Sequence, residues 1–113
     1  MLIFHITQRK NCDDAQIIGS YQADSLSTHG FIHCSTREQY IRVANSRFHG
    51  NDGLVLLLID PEKVNQEIRY ENLEGGAALF PHIYGPLNID AVVKVIEFQP
   101  LENGDFIGPD LFN

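Results

Sequence analysis

Leu54-Val55-Leu56-Leu57-Leu58-Ile59 is apolar at every position. A strand with one wetted face alternates apolar and polar side chains, whereas a run without alternation has both faces covered. The stretch therefore reads as the central strand of a sheet. Turns bracket it. His49-Gly50-Asn51-Asp52-Gly53 precedes it, and Asp60-Pro61-Glu62 follows, leading into one short helical turn. His49 reads as a histidine at a helix C-terminus, where the partial negative charge favours it.

Upstream, Ser35-Thr36-Arg37-Glu38 fits the capping box S-x-x-E. It predicts a helix to about Phe48, with Tyr40, Ile41, Ala44 and Phe48 as the apolar stripe. Phe31-Ile32-His33-Cys34-Ser35 reads as a short strand with Phe31, His33 and Ser35 on one face. Asp24–Gly30 is polar and aperiodic, so it reads as a loop in which His29 is solvated. Ser20–Ala23 is a short extended piece carrying Tyr21. Leu2–Thr7 alternates as a strand, with Leu2, Phe4 and Ile6 facing one way and Ile3, His5 and Thr7 the other. Thr7 is placed to cap a helix over about Gln8–Ile18, which Gly19 ends.

Downstream, Ile68–Asn72 reads as a strand in which Arg69 and Glu71 share a face opposite Tyr70. A loose Gly75-Gly76-Ala77-Ala78 segment leads to Phe80-Pro81-His82-Ile83-Tyr84-Gly85-Pro86-Leu87. Two prolines fix φ and remove two backbone donors, which argues against a helix interior or a central strand. Residues before proline, Phe80 and Gly85, are pushed extended. Alternation then puts His82 and Tyr84 on one side and Ile83 on the other. A rigid loop that presents an imidazole beside a phenol is a candidate site; the plainer reading is a turn whose aromatics plug the edge of the core. Asn88–Asp90 is a turn and Ala91–Phe98 the last strand. A short closing hairpin is expected around Gly104–Phe106. Strands outnumber helices and do not alternate strictly with them, so the class is α+β.

The length, 113 residues, suits a single domain over residues 1–113. No apolar run approaches the roughly 20 residues that cross a bilayer. The apolar start, Met1–His5, is too short for a signal peptide and lacks a basic flank, so it reads as a strand. These features lead us to expect a soluble, cytoplasmic protein with no membrane partner. Cys12 and Cys34 form no CxxC pair and are expected as thiols, Cys34 in the core. The net charge is −7 and the eight basic residues form no run, which argues against bulk nucleic-acid binding.

Three histidines share one local pattern: His5-Ile6-Thr7, His33-Cys34-Ser35 and His82-Ile83-Tyr84. On extended backbone, an imidazole and a hydroxyl two apart lie on one side. Imidazole donates, accepts and titrates near neutrality, and a hydroxyl donates and accepts. If the segments meet, they line a cleft suited to a polyhydroxylated ligand such as a ribose or nucleotide. Against this stand structural roles: Thr7 and Ser35 also fit helix caps, and Glu71 fits a surface pair with Arg69.

In order and spacing, His5-x-Thr7, Gly30-Phe31-Ile32-His33-x-Ser35, Tyr70-Glu71 and Phe80-Pro81-His82-x-Tyr84-Gly85-Pro86-Leu87 resemble a small bacterial family called domain of unknown function 952. That family in turn resembles the ADP-ribosyltransferase superfamily, including its RNA 2′-phosphotransferase branch. The resemblance implies a split, mainly antiparallel sheet with two helices packed outside, gripping NAD as cofactor in a cleft. It implies His5 and Thr7 at the nicotinamide-side ribose, and His33, Ser35 and the following helix N-terminus at polar or phosphate groups. Tyr84 or Tyr21 would stack on an aromatic ring. His82 or Glu71 would take the third-motif position and stabilise the charge that develops as the glycosidic bond breaks. The implied partner is a small nucleotide, with an acceptor the resemblance does not name. The RNA phosphotransferases use several arginines, and this chain has few near its motifs.

Two other classes remain open. One is a non-catalytic domain that binds a small ligand or a protein, with Leu79, Phe80, Ile83 and Leu87 as an exposed apolar rim. The other is a three-histidine metal hydrolase, although His5, His33 and His82 are dispersed along the chain.

Overall fold

The computed structural model describes residues 1–73 and 75–111. Its strands are β1 (Ile3–Gln8), β2 (Ser20–Tyr21), β3 (Ile32–His33), β4 (Leu54–Ile59), β5 (Glu67–Glu71), β6 (Phe80–Tyr84), β7 (Leu87–Asn88) and β8 (Val92–Phe98). The helices are α1 (Arg9–Ile18), α2 (Ser25–Thr28) and α3 (Tyr40–Arg47), with 3₁₀ turns at Pro61–Lys63 and Ile89–Ala91. All strand pairings are antiparallel, in the orders β1-β4-β8, β2-β7 and β3-β6-β5.

As the apolar run predicts, β4 is the middle strand of its sheet, and all six of its residues are buried. Val55, Leu57 and Ile59 pack with Ile3 against Cys12 and Ala15 of α1, and against Ile32 and Ile83 of the β3-β6-β5 sheet. On the other face, Leu54, Leu56 and Leu58 join Phe4, Ile6 and Phe98 against Tyr40 and Ala44 of α3, with Phe106 beyond. Each such aliphatic side chain contributes about 1.5–3 kcal/mol when fully buried. The central sheet is thereby covered on both sides. A single bridge, Phe4 to Ser35, ties it to the third sheet through paired backbone bonds of 2.8 and 2.7 Å.

Several local expectations shift. Helix α1 ends at Gly19 as expected, in the left-handed conformation, with its N–H bonded to the Ala15 carbonyl at 2.7 Å. Its cap is Gln8, not Thr7, and no side chain caps it. The capping box lies one residue later than Ser35–Glu38. Gln39 Oε1 accepts from the Thr36 N–H at 3.0 Å, and Tyr40 N bonds back to Thr36 O, so Thr36-x-x-Gln39 supplies the reciprocal half of the box. Ser35 is therefore released from capping. Asp24–Gly30 contains the short helix α2, because Ser27 and Thr28 bond back to the Asp24 carbonyl. Strand pairing over Phe31–Ser35 narrows to Ile32–His33. No strand forms around Gly104–Phe106, where a turn closes from Leu101 to Asp105; Asn45 clamps the Phe106 backbone by both its N–H and carbonyl. His49 lies beyond α3, with Nε2 3.1 Å from Asp105.

The larger correction concerns Pro81. It lies in β6, the middle strand of the β3-β6-β5 sheet, which its missing N–H argued against. In an antiparallel ladder, a residue's N–H and C=O face the same neighbour. The Pro81 carbonyl accepts from Cys34 N at 3.0 Å, so the absent N–H is the return bond to Cys34. The β3 ladder ends at that pair, and the proline sits where one strand neighbour leaves. Among the described residues no helix is long and apolar enough to cross a membrane.

Candidate functional site

Alternation in β3 and β6 buries Ile32 and Ile83 in the core and turns their neighbours to the opposite face. His33 pairs with His82, and Arg69 of β5 pairs with His82 from the other side. On this face the His82 Nδ1 lies 2.9 Å from Glu71 Oε1, and the Tyr84 hydroxyl donates to the same oxygen. These two bonds, Tyr84's first and then His82's, hold the Glu71 carboxyl below its usual range. The same bond to Glu71 raises the Tyr84 phenol. Arg69 bonds Glu67 at 2.9 and 3.1 Å and lies 4.5 Å over the Tyr84 ring. Glu71 is thus engaged with the two β6 residues, and Arg69 pairs with Glu67 rather than with Glu71.

An ionised carboxylate only accepts, so His82 carries its proton on Nδ1. In the neutral imidazole that leaves Nε2 as an acceptor. The His82 side chain is 6% exposed, and nothing among the described residues bonds to Nε2. Phe31 stacks on the ring at 3.9 Å and 19°, and the His33 ring stands edge-on at 5.5 Å.

His5 is used differently. Its Nδ1 donates to the His33 carbonyl at 2.5 Å, and its Nε2 lies 2.7 Å from the Tyr21 hydroxyl. Tyr21 is also 3.0 Å from Thr7 Oγ1, which accepts from Asn11 Nδ2 at 3.4 Å. With Nδ1 donating to a carbonyl, neutral His5 can only accept at Nε2. The chain of donors then runs Asn11, Thr7, Tyr21, His5 to the His33 carbonyl, and every member is satisfied. Burial lowers the His5 pKa to about 4, which keeps it neutral. Burial likewise pushes the Tyr21 phenol up to about 12.

The three histidines of the repeated pattern meet around one cleft of about 510 Å³, within the range of small-molecule pockets. Ser35, Phe31 and Glu71 line it with them. Ser35 is only 5% exposed, yet its hydroxyl has no hydrogen-bond partner among the described residues. Thr7 and Tyr21 face a second hollow of about 470 Å³, which shares His5, Ile6 and Phe48 with the first. Tyr84 lines neither and reaches the cleft through Glu71.

The chain matches, over residues 6–95, the model of a family described as "Protein of unknown function (DUF952)". It belongs to that family. The crystal structure of protein CC0527 from Caulobacter crescentus is similar at a TM-score of 0.85 and 31% identity, over 95% of this chain and 94% of that one. The solution NMR structure of CC0527 matches at a TM-score of 0.80 and 33% identity, over 91% and 89%. No curated protein matches the chain. Neither CC0527 structure is described with an activity, and neither supports the ADP-ribosyltransferase-like fold that the resemblance implied.

In this DUF952 member the cleft also takes in His29, Phe31 and Arg47, which sequence reading had not placed there. His29 is exposed as expected, but its ring meets His33 edge-on at 5.4 Å. For Phe31 a signal existed, since it shares a strand face with His33 and Ser35. For Arg47, at the C-terminal end of α3 and outside every motif, there was none. The expected apolar rim does not form: Leu79 is exposed and Phe80 half-buried, but Ile83 and Leu87 are wholly in the core. Among the described residues no group of three His, Cys, Asp or Glu side chains is placed to hold a metal ion. Both His5 nitrogens are already committed, which removes one ligand from a three-histidine metal centre.

Proposed function

We propose that the cleft binds a nucleotide of the NAD or ADP-ribose type and that the domain is an ADP-ribosyltransferase-like transferase. The observation that carries this reading is the Glu71-oriented His82, whose Nε2 opens into a cleft also lined by the unpartnered Ser35 hydroxyl. These two polar groups suit the hydroxyls of a ribose. Phe31 and Phe80 give the cleft aromatic surface for a planar ring, in place of the Tyr84 or Tyr21 stacking first expected. His33 and Arg47 face the phosphate side. His5, with Thr7 and Tyr21, forms the partition between the two hollows and frames the nicotinamide-side ribose. His82, held by Glu71, supports the positive charge that develops as the glycosidic bond breaks.

The test is a two-dimensional NMR titration with NAD and with ADP-ribose that follows the histidine side chains. Coincident, saturable shifts at His5, His33 and His82 are expected. No shift at millimolar ligand would overturn the nucleotide reading. A second reading, a binding domain without turnover, is favoured by the exposure of Leu73 and Leu79 beside the cleft. Saturable binding with no nicotinamide release would select it.

A further inference from the structure

We infer that His82 is a general base that activates a hydroxyl, so the acceptor in the proposed transfer is water or an alcohol rather than a guanidinium. The inference rests on the nucleotide reading above and deepens it by naming the acceptor class. It starts from hydrogen-bond polarity. Glu71 accepts from the His82 Nδ1–H, so whatever meets Nε2 of the neutral ring must donate. Ser35 offers a hydroxyl that can donate in return. Cys34 pairs with Pro81, so Ser35 is a diagonal neighbour of His82 across β3 and β6, within the reach of side chains. Both residues are more than nine-tenths buried, both open into the one cleft, and neither open atom has a hydrogen-bond partner among the described residues. A hydroxyl that donates to His82 Nε2 and accepts from Ser35 satisfies both.

A guanidinium fits poorly. It donates only, so it leaves the Ser35 O–H without an acceptor, and a neutral imidazole is far too weak to deprotonate it. The carboxylate that would hold such a cation, Glu71, already accepts from Tyr84 and His82.

The step balances without a further reactant. The acceptor oxygen forms a bond to the anomeric carbon of the ribose while that carbon's bond to the nicotinamide nitrogen breaks. The electron pair of the broken bond neutralises the pyridinium, so the leaving group needs no proton. The acceptor's proton passes to His82 Nε2, and the imidazolium is held against Glu71. Here Glu71 is a positioning residue and His82 the catalytic one.

The test uses the full chain and has two parts. Long-range ¹H–¹⁵N spectra report which His82 nitrogen bears the proton; Nδ1–H is expected, and an Nε2–H tautomer would overturn the inference. Nicotinamide release from NAD is then followed, with methanol added as a competing hydroxyl acceptor. The expected products are ADP-ribose and its methyl glycoside. His82→Gln should slow release by about 10²-fold or more, the contribution of a general base, while NAD still binds by NMR titration. Glu71→Gln should allow the other His82 tautomer in the same spectra and slow release. Release unchanged in His82→Gln overturns the inference and leaves the nucleotide reading standing, whereas binding without release overturns the inference and selects the binding domain without turnover. Failure of NAD to bind overturns both.

Discussion

His5 and His82 open the same three-residue pattern, an imidazole and a hydroxyl two apart on a strand, yet the fold uses them in opposite ways. Around His5 the polar atoms close on one another, and the last acceptor is the His33 backbone. Around His82 one side is fixed by Glu71 and the other faces the cleft. The comparison separates two uses of a buried histidine. A saturated one specifies geometry, because any change strands a buried partner. A half-saturated one keeps a polar atom in reserve, which is what binding or proton transfer requires.

The sharpest way to break this contrast is His5→Ala. It leaves the His33 carbonyl without its donor and the Tyr21 hydroxyl with Thr7 alone, and it opens a cavity. We expect a loss of about 3 kcal/mol in urea unfolding. A loss under about 1 kcal/mol would show that the His5 cluster is not structural.

Acidification probes the same cluster without mutation. Burial lowers the folded His5 pKa from its ordinary 6.5 to about 4. Between these values the unfolded chain binds the extra proton, so stability rises with pH. The contribution is fully present above pH 6.5 and is lost as pH falls toward 4, by about 3 kcal/mol over the window. Unfolding free energies measured across this range should show that slope, and His5→Gln should lack it. A flat profile in the wild type would mean that His5 is protonated in the fold.

Tyr21→Phe removes one hydroxyl from the relay and leaves His5 Nε2 without its donor. A loss of about 1–2 kcal/mol is expected, and a neutral outcome would place a water or another donor there. Ser35→Ala marks the opposite pole. Its hydroxyl has no hydrogen-bond partner among the described residues, so thermal unfolding should move by no more than about 0.5 kcal/mol, while NAD affinity falls. If Ser35→Ala proves as destabilising as Tyr21→Phe, the open and closed clusters are not distinct.

Much of the scaffold was legible from local pattern. The Leu54–Ile59 run, the Leu2–Thr7 alternation, the Gly19 stop and the last strand all depend on side chains close in sequence, and each lies within a residue of its expected position. Where two local signals competed, reading one alone misplaced the feature. Ser35-x-x-Glu38 and Thr36-x-x-Gln39 both satisfy the capping box, and the Phe4–Ser35 bridge decides between them by holding Ser35 in a strand. Pro81 was judged by the donor it lacks, but whether that donor is needed depends on where β3 leaves β6.

The site divides in the same way. The amino-acid sequence by itself determined which side chains share a face: His82 with Tyr84, His33 with Phe31 and Ser35, Arg69 with Glu71. That follows from the two-residue period of extended backbone, which needs no partner strand. Only the tertiary structure decided what those faces meet. Glu71 reaches His82 because β5 and β6 pair in one register, and a shift of one residue would send Glu71 to the core face. His5 is closed rather than open because Tyr21, on another strand, arrives at its second nitrogen. Register and packing are set by the burial of the whole apolar core, a sum over distant contacts that no single stretch of the chain contains.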